Sequence, residues 1–187
     1  MTAMSDCADS IRNLTRSILP GRALPESVFV ETWSRFLFFD CEFVFKLSFV
    51  SAAQMALAAE GSVCVTVASL EADPQELFSI MRDTSAESYR PVLNGPKPGW
   101  GWLDRFDLGR FACAPDTGSW CIYCQRNEGV GILAIRPEEI GHHGEFISRL
   151  KAASLEEQLG PNGGLVNPKF QILEDWLAQL RRNYREP

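Results

Sequence analysis

The chain has 187 residues, 45% of them hydrophobic and 22% charged, and its 24 acids and 18 bases give a formal charge of −6. That composition excludes disordered and collagen-like chains, and a chain this long buries about 70% of its unfolded surface on folding. One domain over residues 1–187 is expected, with a core that needs neither metal nor disulfide to hold it.

Residues 5–19 predict a helix, because Cys7, Ile11, Leu14 and Ile18 recur at helical spacing and Pro20-Gly21 stops it. Residues 26–35 read both ways: Val28, Phe29 and Val30 favour a strand, while Pro25-Glu26 suits a helix start. From Phe36 to Val50 the odd positions Leu37, Phe39, Cys41, Phe43, Phe45, Leu47 and Phe49 are apolar, and Asp40, Glu42, Lys46 and Ser48 fall between them. That period of two predicts one long antiparallel strand with a single buried face. Ser51 to Glu60 reads as a helix ended by Gly61, and residues 63–67 as a short buried strand. Asp73 at the N-cap and Pro74 at the first helical position predict a helix reaching about Arg82.

Residues 84–118 hold four of the 11 prolines and five of the 14 glycines, so they read as a long loop with a functional reason to exist. Trp120–Gln125 and Val130–Ile135 form a predicted hairpin around Arg126-Asn127-Glu128-Gly129, with Gly129 closing the turn. The segment after Pro137 is expected to become helical by Glu145 and to run toward Leu159. A linker over 161–164 follows, then a C-terminal helix over 168–185 striped by Phe170, Leu173, Leu177, Leu180 and Tyr184. Antiparallel-looking strand pairs with helices before, between and after them indicate an α+β fold. The expected architecture is an antiparallel sheet with helices packed on it as a single layer pair.

The acid excess is spread along the chain: residues 1–70 carry 7 acids and 5 bases, 71–118 carry 8 and 5, and 119–187 carry 9 and 8. No basic stripe suited to nucleic acid or anionic lipid exists. The one dense basic cluster, Arg181, Arg182 and Arg185, suits the last turns of the C-terminal helix. Asp6, Asp9, Arg12 and Arg16 interrupt the first twenty residues, and Asp40, Glu42 and Lys46 break the most apolar run. Neither stretch reads as a signal peptide or a membrane span. A cytoplasmic protein is expected, with all six cysteines reduced and mostly packed in the core.

Cys121 and Cys124 form a C-x-x-C spacing, but residues three apart on a strand point to opposite faces, so neither bridging nor shared chelation is expected. His142-His143, bracketed by Gly141 and Gly144, reads as an exposed turn. A thiol hydrolase pairing Cys113 or Cys121 with one of these histidines is the enzymatic alternative. Gly99-Trp100-Gly101 lacks the lysine of a phosphate loop, and the pairs Asp104/Asp107 and Glu138/Glu139 have no defined cleft. No catalytic residue, metal or cofactor is therefore expected. Residues 99–109 carry Trp100, Trp102, Asp104 and Asp107 in a Pro/Gly-rich loop. They read as a partner-binding surface: aromatic anchors for area, carboxylates for a basic protein. Alternatively, both tryptophans plug the edge of the core.

The run Trp120-Cys-Ile-Tyr-Cys-Gln-Arg-Asn-Glu-Gly-Val-Gly-Ile-Leu-Ala-Ile135, preceded by Asp104-Arg-Phe-Asp-Leu-Gly-Arg-Phe111, resembles small bacterial immunity proteins of polymorphic-toxin and contact-inhibition systems. Those are acidic, single-domain α+β proteins without enzymatic activity, often with a Trp-x-x-Tyr hairpin strand. The resemblance implies a protein that binds and neutralises a cognate toxin. A structural subunit of a bacterial assembly is a third expectation, from the same class of non-enzymatic proteins.

Overall fold

The computed structural model describes residues 7–30, 32–71, 75–95, 109–165 and 174–184; of residues 75–77 it describes the backbone alone. The chain order is α1 (Ala8–Ser17), β1 (Arg35–Asp40), α2 (Ser48–Glu60), β2 (Cys64–Ser69), β3 (Gln75–Met81), α3 (Ala86–Asn94), β4 (Arg110–Pro115), β5 (Trp120–Gln125), β6 (Val130–Ile135), α4 (Gly144–Leu150), α5 (Leu155–Leu159) and α6 (Glu174–Asn183). The strands make one six-stranded antiparallel sheet in the order β1-β6-β5-β4-β2-β3. The α+β class expected from the sequence is what the chain adopts.

Helices cover both faces of the sheet rather than one. On one face α2, α3 and α4 bury Leu37, Phe39, Val65, Ile80, Phe111, Trp120, Ile122 and Leu133. On the other, α1, α5 and α6 cover Phe38, Ala112, Ala114, Tyr123, Ile132 and Ala134. Central strands buried on both sides read as continuous apolar runs, as in β6, and this hides the alternation that marks a half-exposed strand.

The long strand expected over 36–50 is replaced by three kinds of backbone. β1 ends at Asp40, whose carboxylate accepts the Glu42 N–H at 3.0 Å and starts a 3-10 turn over Cys41–Phe45. α2 then begins at Ser48. The odd apolar residues still line one core, with Phe43 and Leu47 only partly buried there. The stripe was a true signal of a shared core, but several backbones can carry it.

Two other expectations change. The helix expected from Asp73 to Arg82 is β3, paired antiparallel with β2 from Cys64↔Met81 to Ser69↔Gln75. Local capping signals lose here to a ladder partner that is already in place. The loop expected over 84–118 contains α3, whose Ser85 hydroxyl caps the Ser88 N–H at 3.2 Å, and β4 at the centre of the sheet.

The helix expected from Glu145 to Leu159 is two helices. Lys151 turns left-handed at φ 54°, and Ala153 then pairs with Phe38 through bonds of 2.7 and 3.0 Å on the outer side of β1. Ser154 and Glu157 form a capping box that starts α5. The C-terminal helix appears as α6, with Leu180 buried and Tyr184 just beyond it; residues 168–173 and 185 lie outside the described residues. The 120–135 hairpin is as expected, with Gly129 at φ 71°.

Candidate functional site

Trp100, Trp102, Asp104 and Asp107, the expected partner-binding residues, lie outside the described residues. The described chain resumes at Gly109, directly before β4. The Arg110 N–H donates to Glu71 Oε1 at 2.7 Å, and the Arg110 guanidinium stands 3.6 Å from the same carboxylate. The Arg126 N–H donates to the Gly109 carbonyl at 2.7 Å. The β2–β3 connection and the β5–β6 turn therefore meet at the point from which the chain leaves toward residue 108.

The thiols are placed where they cannot react with a substrate. Cys41, Cys113, Cys121 and Cys124 are all fully buried. Burial pushes each of these thiols well above its ordinary range, and the thiolate is the reactive form. Cys121 and Cys124 face opposite cores, as strand geometry requires. Cys113 and Cys121, the thiols named for a hydrolase, lie enclosed in the two cores. The expectation of six reduced cysteines is also corrected: Cys7 and Cys64, 57 residues apart, form a disulfide that ties the start of α1 to the start of β2. No sequence signal pairs them, because the bond depends on how α1 packs.

The histidines divide. His142 is exposed and stands 3.3 Å from Glu139, as a surface turn would place it. His143, expected on the same surface, is 1% exposed and precedes α4. Its Nε2 lies 3.6 Å from Glu60 Oε2 at the end of α2, whose side chain is 4% exposed. Thr117 donates a hydroxyl hydrogen bond to Glu60 at 3.0 Å, and the Ser119 hydroxyl donates to the same oxygen. Neither His143 ring nitrogen has a hydrogen-bond partner among the described residues, and Glu60 Oε1 has none either. Next to them Ser62 donates to Asp116, which also accepts from the Val63 N–H at 3.2 Å.

The sequence offered no sign of this group, since it joins the ends of α2 and α4 to the β4–β5 turn. Burial raises the Glu60 carboxyl above its ordinary range, against the Ser119 and Thr117 hydroxyls that favour the anion. Burial lowers the His143 imidazole, against the pull of Glu139. The group lies inside the structure, and its hydroxyls point at the carboxylate rather than at the imidazole. The group joins the end of α2 and the start of α4 to the β4–β5 turn, and it is not arranged as a nucleophile and base. Among the described residues, no set of three or more His, Cys, Asp and Glu side chains is placed to bind a metal ion, and no helix is long and apolar enough to cross a membrane.

The lowered imidazole gives a pH dependence with a definite sign. The unfolded chain protonates His143 near pH 6.5, while the folded chain resists until lower pH. The histidine therefore costs nothing above about 6.5 and destabilises the fold as pH falls from there to its folded value. The raised Glu60 acts in the opposite sense, contributing stability in acid that is lost as pH rises through its folded value. Urea unfolding at about pH 7.5 and about pH 5.5 isolates the histidine when parent and His143→Gln are compared. The parent loses more stability across that interval than the variant; equal losses rule His143 out as the titrating group.

Comparison of the chain with protein-family models, curated proteins and solved structures returns no significant match.

Proposed function

We propose that the chain is a non-enzymatic binding module, an immunity protein that occludes a cognate, basic protein toxin. One observation carries this reading: among the described residues, the four free thiols and His143 are all enclosed in the cores or the buried polar group. What such a protein offers another molecule is its surface. The net charge of −6 supports association with a basic partner by long-range attraction. The resemblance around residues 104–135 supports the toxin class, and a cytoplasmic site of action belongs to the same proposal. Trp120 and Tyr123, which carry much of that resemblance, are fully buried on opposite faces. They build the hairpin; the contacts with the toxin are assigned to Trp100, Trp102, Asp104 and Asp107.

The test is binding of folded variants to the product of the neighbouring gene, since an immunity gene normally follows its toxin gene. Trp102→Ala speeds dissociation, costing about 2–4 kcal/mol at a hot spot. Asp104→Asn with Asp107→Asn mainly slows association and flattens its salt dependence. If both folded variants bind as the parent does at every salt concentration, the 99–109 loop is not the contact surface.

A further inference from the structure

We infer that Cys7–Cys64 is a reversible redox site that latches the first turns of α1 onto β2 and opens to a dithiol reductant. The helix is held unevenly. Its C-terminal half is secured by the fully buried Leu14 and by Ile18, and Asn13 donates to the Asp116 carbonyl at 2.8 Å. Among the described residues its N-terminal half is tied by the disulfide, by a 3.2 Å bond from the buried Ser10 hydroxyl to the Cys64 carbonyl and by the partly buried Ile11. Asp9 and Arg12 pair with one another on the exposed side. Cys7 precedes the helix without capping it through its side chain. Opening the bond therefore releases the first turns and leaves the rest of α1 seated.

The surroundings make this a two-state site. Reshuffling needs a thiolate from another cysteine, and the four candidates are fully buried with their thiols pushed up by burial. Both cysteines are buried, Cys7 at 6% exposure and Cys64 at 0%, so the reductant enters as the first turn of α1 opens and attacks the less enclosed of the two, Cys7. A thiolate of the reductant bonds to Cys7 Sγ, the S–S bond breaks, and Cys64 leaves as a thiolate that takes up a proton. The second thiol of the reductant then attacks its own sulfur in the mixed disulfide and releases Cys7 as a thiolate, which is protonated in turn. Two electrons pass from the dithiol to the protein, and the reductant becomes a disulfide. A reducing cytosol holds the latch open and an oxidising compartment holds it closed.

Thiol counting and hydrogen exchange on the full chain test this together. Air-oxidised protein, denatured without reductant, labels at the four free cysteines and gains two labels after dithiothreitol. Native protein treated with dithiothreitol exchanges the amides of residues 11–13, the first to bond within the helix, at least about tenfold faster, at labelling times when β5 and β6 stay protected in both forms. Cys7→Ser reproduces that pattern under oxidising conditions. Six labels without reductant overturn the site. Unchanged exchange in α1, or loss of protection in β5 and β6 alongside it, overturns the latch.

Discussion

Phe39→Asp abolishes folding, whereas Phe43→Asp leaves a folded chain. Phe39 is 0% exposed on β1, opposite Gly131 of β6. Its ring fills the space a side chain on Gly131 would take: a Cβ there would stand 2.5 Å from the Phe39 ring. A carboxylate at position 39 would sit in the apolar core, and an unpaired buried charge costs several kcal/mol, a large part of a domain's total stability. Phe43 sits on the 3-10 turn after Asp40. It is partly buried, edge-on to Phe49 at 6.4 Å, with Lys46 5.9 Å from its ring centroid. A carboxylate there reaches water and a nearby ammonium. Circular dichroism and urea melts decide the matter. Equal loss in both variants restores a single long strand with residues 39 and 43 on one buried face.

Trp120→Ala costs about 3–5 kcal/mol, and Trp120→Phe far less. Trp120 is fully buried at the start of β5, its ring 4.9 Å from that of Phe146 on α4. Trp120 thereby packs the sheet against α4, which begins just after His143. Its indole N–H is buried without a hydrogen-bond partner among the described residues. The cost is therefore lost packing; no hydrogen bond is broken. Phenylalanine keeps most of the ring and removes the unmet donor. Urea denaturation measures both. A loss for Trp120→Phe as large as for Trp120→Ala contradicts a packing role. So does loss of partner binding by a fully stable Trp120→Ala, which would place this residue in the interface.

What could be read from the sequence was local. The hairpin of β5 and β6 is carried by its own turn, with Gly129 in the left-handed conformation that glycine accepts. Gly61 ends α2 for the same reason, at φ 72°. The opposite orientation of Cys121 and Cys124 follows from strand geometry alone. What could not be read depends on distant partners. β3 is a strand because β2 supplies its ladder, and the segment around its start carries helix-capping residues. The break at Lys151 follows from Ala153 pairing with Phe38, more than 100 residues earlier. His143 is buried because α4 packs on α2, so two adjacent histidines with similar neighbours come to opposite environments. The Cys7–Cys64 bond is of the same kind. The segment with Trp100, Trp102, Asp104 and Asp107 was legible as composition, lies outside the described residues, and its role is a proposal about chemistry rather than place.

Under the proposed function, this acidic chain binds one basic protein and acts by binding alone. Calorimetric titration of the full chain with the product of the neighbouring gene tests it most directly. The expected result is a saturable complex of defined stoichiometry that weakens as salt rises, with the partner's activity lost in the complex and the partner recovered chemically unaltered. No heat and no complex at any salt concentration, or a partner that is consumed or modified, contradicts it.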